Sequence, residues 1–138
     1  MPNQFTIPYD VEELFLALYQ GVDLILKFGI TNITPGGATV LGNYTEASGG
    51  GYAEIAVDGG DWTLEANAPR DIILAQQSVV FTGPLDTGAT VYTWYLVDAA
   101  TELVYWGGKK LDTPFTPAVN GDTLKFTPRI QAGNGTPT

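Results

Sequence analysis

Histidine and cysteine are both missing from this 138-residue chain. Without imidazole or thiol it has no Ser/His/Asp triad, no cysteine nucleophile, no thiolate metal site and no histidine proton switch. Basic residues are scarce as well, six against fifteen acids, for a net charge of −9. The six cations, Lys27, Arg70, Lys109, Lys110, Lys125 and Arg129, are scattered along the chain. Nucleic acid is therefore not an expected partner, because phosphate binding needs clustered cations that release counterions. An anionic membrane surface is disfavoured by the same repulsion. No run of about eighteen apolar residues exists to span a bilayer. Residues 1–9 lack the cationic and apolar regions of a signal peptide, so no membrane span is expected and synthesis in a cytoplasm is.

What the chain does contain is apolar and aromatic. Hydrophobic residues make up 44%, including three Trp, seven Tyr and six Phe. Each aromatic side chain can bury roughly 150–250 Å², enough for one dense core without disulfide or metal staples. At this length one domain is expected. Three N-x-T sequons, at Asn32, Asn43 and Asn134, read as chance in a chain rich in Asn and Thr for which no secretory signal is expected.

Periodicity divides the chain into one helix and a series of strands. Asp10 and Glu13 form a D-x-x-E start, and Val11, Leu14, Phe15 and Leu18 then recur at spacings of three and four. This predicts a short amphipathic helix stopped by Gly21, its apolar face packed on a sheet edge, on the end of a sandwich or on a neighbouring subunit. From Val22 the period becomes two, with Val22, Leu24, Leu26 and Phe28 on one strand face and Asp23, Ile25 and Lys27 on the other. Further strands are expected over 38–41, 52–57, 62–66, 72–74 and 79–82, with a bulge or crossing at Gln76, Gln77 and Ser78. Residues 91–98 and 103–107 make the best hairpin, and 123–130 a last strand in which Pro128 marks an edge or an end. About eight short strands without crossover helices predict an all-β fold, an antiparallel β-sandwich or jelly roll with one short N-terminal helix. The expected organisation is an arm over 1–9, a β-sandwich domain over 10–130 and a tail over 131–138.

Several local patterns have both a chemical and a structural reading. The Gly-rich stretch 48–51 lacks the lysine and helix start of a phosphate cradle and reads as a flexible hairpin loop, and Gly107-Gly108-Lys109-Lys110 fails the same test. Asp58 and Asp61 flank two glycines where calcium could sit, yet Asp and Gly are also what a tight turn needs. Glu46, Glu54, Glu65 and Glu102 are available for paired-carboxylate glycoside hydrolysis, but their turn and strand neighbours make each a solvated outward position. Tyr92, Trp94 and Leu96 occupy one face of the hairpin strand, Val91, Tyr95 and Val97 the other. One set is core, and the other is free for sugar rings or a partner protein.

Two stretches carry a resemblance: Phe28-Gly29-Ile30-Thr31-Asn32-Ile33-Thr34-Pro35, running on to Tyr44-Thr45-Glu46-Ala47 and Gly51-Tyr52-Ala53, and Phe81-Thr82-Gly83 followed by the aromatic run 91–98. Over residues 10–130 the chain resembles small β-sandwich virion proteins of tailed bacteriophages, and among them the capsid cement or decoration class. The resemblance implies a noncatalytic structural protein at the capsid surface of the virion, without cofactor or metal, that binds the outer shell and bridges major capsid proteins as a homo-oligomer. The residues expected at the partner interface are Phe5, Ile7 and Tyr9 in the arm, Leu14, Phe15 and Leu18 on the helix, and Trp106 on the hairpin. The rival expectation is a receptor- or carbohydrate-binding module of a tail fibre or baseplate, where Tyr and Trp faces would stack on sugars.

Overall fold

A computed structural model describes residues 9–66 and 70–131. Among them the fold is all-β and antiparallel, as a sandwich reading requires, with nine strands and a single α-helix. No helix among the described residues is long and apolar enough to cross a membrane. The described residues divide into two compact units, one formed by residues 9–22, 58–66, 70–77 and 126–131, the other by 23–57 and 78–125.

The first unit contains helix α1 (Tyr9–Gln20) and a three-stranded sheet in the order β3 (Thr63–Leu64), β4 (Asp71–Ile73), β9 (Arg129–Gln131). The helix ends where expected: Gly21 N–H still donates to the Ala17 carbonyl at 3.0 Å, and no helical residue follows. Gln20 Nε2 then donates to the Trp62 carbonyl at 2.9 Å, and the Tyr19 ring lies 5.5 Å from the fully buried Trp62 indole. Gly59 passes so close to the Gln20 and Val22 carbonyls that a Cβ there would come within 2.6 Å of both oxygens, so only glycine fits.

The second unit is built on a four-stranded sheet in the order β2 (Ile55–Val57), β1 (Leu24–Gly29), β6 (Val91–Asp98), β7 (Tyr105–Phe115). A two-stranded pair, β5 (Gln77–Val80) with β8 (Thr123–Phe126), falls almost wholly within it. Leu24, Leu26 and Phe28 are buried on one face of β1, as the period of two predicts, and oppose Asp98, Leu96 and Trp94 of β6. Strand β6 occupies the bounds expected from sequence and lies between β1 and β7, but its residues are buried on both faces. Trp94 and Leu96 on one side and Val91, Tyr95 and Val97 on the other all belong to the core, which corrects the expectation of one free aromatic face.

Other expectations also change. No strand forms over 38–41; a 3-10 turn, Leu41–Asn43, follows instead, with Asn43 Oδ1 accepting from Val40 N–H at 2.8 Å. Leu103 and Val104 belong to the hairpin loop, and β7 runs on through Gly107 and Gly108 to Phe115. Gly107 takes φ +123° at a break in register, and Gly108 leaves room for the Tyr44 hydroxyl. As an edge strand β7 carries Lys109, Lys110, Asp112 and Pro114, residues that discourage edge-to-edge pairing. The Gly49–Gly51 run is a pinned loop rather than a flexible one. All three glycines have positive φ, Thr82 N–H donates to the Gly50 carbonyl and Asp86 N–H to the Ser48 carbonyl, each at 2.8 Å.

Candidate functional site

The helix places its residues in an unexpected orientation. Its inward stripe is Glu12, Leu16 and Tyr19, spaced four and three apart. Glu12 is only 2% exposed and accepts from Arg70 Nε at 3.2 Å, so the helix is anchored by an acid where an apolar residue is the usual choice. Of the predicted apolar stripe, Val11 is half-buried and the other three residues point outward. Leu14 is 67% exposed, Phe15 40% and Leu18 55%, with exposed Asp10 and Glu13 on the same helix and no basic residue between Tyr9 and Gln20. Of the other expected interface residues, Phe5 and Ile7 lie outside the described residues. Tyr9 opens the helix, its side chain likewise outside them. Trp106 is half-buried on β7, in the second unit.

In the second unit, three of the four carboxylates expected to be solvated converge on one lysine. Lys27 Nζ lies 2.8 Å from Glu102, 3.2 Å from Glu46 and 3.4 Å from Glu54. Burial alone would lower the Lys27 pKa. Hydrogen bonds to Glu102 and Glu46 outweigh it and hold the ammonium well above the ordinary lysine range. Tyr52 completes the group, its hydroxyl donating to Glu46 Oε2 at 2.9 Å and accepting from Phe28 N–H at 3.2 Å. That backbone donor lies beyond the last β1–β2 pair, Leu26 with Ile55, so a side chain takes over where the ladder stops. Beside them Tyr44 stacks on Tyr95 at 4.2 Å between ring centroids, and its hydroxyl meets that of Tyr105 at 2.6 Å. The fourth acid, Glu65, belongs to the first unit and lies 2.7 Å from Arg129, whose hydrogen bond holds its carboxyl below the usual range.

These acids are thus occupied by ion pairs, Tyr52 by Glu46 and the Phe28 N–H, and Tyr44 by Tyr95 and Tyr105. Among the described residues no three His, Cys, Asp or Glu side chains are grouped so as to hold a metal ion. Asp58 is engaged in its own turn, accepting from Gly60 N–H at 2.9 Å.

The hairpin loop 99–104 also turns apolar side chains outward, with Leu103 77% and Val104 53% exposed, as Val40, Val80 and Val119 do singly elsewhere. Sequence reasoning missed it, because it read Leu103 as strand. Asp98 organises the loop. Its carboxylate accepts from Val104 N–H at 2.8 Å and from Thr101 N–H at 2.9 Å, and the Thr101 hydroxyl donates to it as well. The Val104 and Thr101 donors hold the Asp98 carboxyl below the ordinary aspartate range. No protein-family model matches this chain, and neither a curated protein nor a solved structure matches it.

Proposed function

We propose that this chain is a noncatalytic virion structural protein of the capsid cement class, which binds the outer shell of a tailed bacteriophage and bridges major capsid proteins. The observation that carries the reading is the outward face of α1: Leu14, Phe15 and Leu18 are exposed on a helix whose opposite face is already anchored through Glu12 to Arg70 and through Tyr19 to Trp62. A helix held in this way presents apolar area without having to order itself on contact, which lowers the cost of binding. The neighbouring acids Asp10 and Glu13 favour a partner groove with basic margins over the same face of a second copy. Self-association into a homo-oligomer, which the reading includes, would then use other surfaces.

Bridging explains why adhesion alone is useful. A protein that binds only the assembled shell stabilises that shell by mass action. A standard interface buries about 1,600 Å², more than one short helix offers, so further contacts must join it. The test is binding of the purified protein to capsids that lack it. Leu14→Ser/Leu18→Ser should abolish saturable binding while the thermal midpoint of the free protein stays unchanged. Undiminished binding would refute the role given to the helix. Quantitative mass spectrometry of virions supplies the second arm, since hundreds of copies per particle fit cement and a handful would move the chain to the tail.

A further inference from the structure

The β6–β7 hairpin tip is built more rigidly than a connection needs, and it exposes what a connection has no reason to expose. Five of its six backbone N–H groups are tied down. Ala99 donates to the Asp23 carbonyl at 3.0 Å, Glu102 to the Asp98 carbonyl at 2.9 Å and Leu103 to the Thr101 hydroxyl at 3.2 Å. Thr101 and Val104 both donate to the Asp98 carboxylate. Glu102 is held at φ +58°, a left-handed conformation unusual for a residue with a side chain, and it sits directly before Leu103. Its own carboxylate is drawn to Lys27, so the strained residue fixes the tip at both backbone and side chain. The result is a fixed protrusion ending in two outward aliphatic side chains.

We infer that this tip is a preformed docking knob that seats Leu103, flanked by Val104, in an apolar pocket of a protein partner whose rim carries arginine or lysine. The charge around the knob selects that rim. Glu102, Glu46 and Glu54 outnumber Lys27, the cation they share. A second copy of this chain, at −9, would bring like charge against like. An anionic lipid surface would be repelled in the same way. A basic rim instead meets carboxylates that are already partly desolvated and positioned, while the leucine fills the pocket.

The inference rests on the cement reading, which places the pocket on the capsid shell. The test uses the full chain and purified capsids that lack it, in two arms. In the first, Leu103→Ser/Val104→Thr should weaken binding roughly tenfold or more, the factor expected when a leucine is withdrawn from an apolar pocket, with the thermal midpoint unchanged. In the second, a photoreactive benzoylphenylalanine replacing Leu103 should crosslink to a shell peptide bearing lysine or arginine. If the double variant also loses thermal stability, the crosslink decides. Wild-type binding that the double variant matches, with no crosslink from position 103, overturns the knob and leaves the cement reading standing. Failure of the wild type to bind capsids overturns both. A crosslink to a second copy of the chain overturns the knob in favour of self-association.

Discussion

Arg70 donates from Nε to a carboxylate of Glu12 that is almost wholly withdrawn from solvent, although fifty-eight positions separate the two in the chain. Removing one partner of such a pair leaves a buried charge unanswered, at a cost of about 3–5 kcal/mol, whereas replacing both with apolar residues of similar volume is often close to neutral. Arg70→Met should therefore destabilise the protein by about that amount. Glu12→Leu/Arg70→Met should recover all but about 1 kcal/mol of it. Urea unfolding of the two single variants and the double variant measures the coupling. Additive losses would mean that the pair does not act as a unit.

Lys27 serves three carboxylates at once, so its loss is felt beyond a single ion pair. The glutamates remain partly solvated, which places the expected cost of Lys27→Met between that of an exposed pair and that of a broken buried one, about 1–2 kcal/mol at low ionic strength. Salt should narrow the difference between variant and wild type, because mobile ions screen the repulsion left among the three acids. The folded-state pKa of Lys27 is raised. Its contribution is therefore fully present below the ordinary lysine range and is lost only as pH rises beyond it. Denaturation curves at low and high salt check the first expectation, and the same curves in alkali the second.

Three tyrosines make the fold sensitive to base. Burial is the main cause in each case. It raises Tyr44, helped by the bond to the Tyr105 hydroxyl, and it raises Tyr52 against the opposing pull of Phe28 N–H. It pushes Tyr95 up to about 12, with Glu46 adding to the effect. In the unfolded chain these phenols ionise near pH ~10. Above that pH the unfolded state has released protons that the folded state still holds, so stability present below it is lost as pH climbs. Cooperative unfolding should begin above about pH 10, with tyrosinate absorbance and circular dichroism changing together. Tyr95→Phe should move the transition to higher pH. Tyrosinate signals appearing well before unfolding would contradict the burial assigned to these rings.

Much of this architecture can be read from the chain, and the exceptions share a cause. Residues 91–98 form a strand with the expected bounds because an unbroken β-branched and aromatic run lies between turn residues. The alternation from Leu24 to Phe28 likewise reports its buried face. The helix was legible as a helix but not in its facing: Leu14 and Leu18 look like core, and Glu12 is buried only because the fold delivers Arg70 to it. Gly107 and Gly108 look like a strand end, yet one forms a bulge and the other accommodates Tyr44. Glu46, Glu54 and Glu102 look solvated from their neighbours alone, and antiparallel pairing is what gathers them around Lys27. Local pattern fixes an element; long-range partners decide which of its faces is used.

The Gly49–Gly51 loop offers a sharp contrast with Gly36. At Gly50, φ is +58° and a Cβ would come within 2.6 Å of the Gly83 carbonyl oxygen and 2.7 Å of that of Pro84. Both obstacles are backbone, so no side-chain rotation relieves the clash, and the left-handed conformation adds a penalty of its own. At Gly36 a Cβ would meet nothing within 4 Å. Gly50→Ala should therefore destabilise the protein by about 2–4 kcal/mol, and Gly36→Ala should change it by less than about 0.5 kcal/mol. Thermal denaturation of both variants beside the wild type measures the difference. Equal, small effects would mean that residues 49–51 do move as a loose loop and that the hydrogen bonds from Thr82 and Asp86 do not hold them.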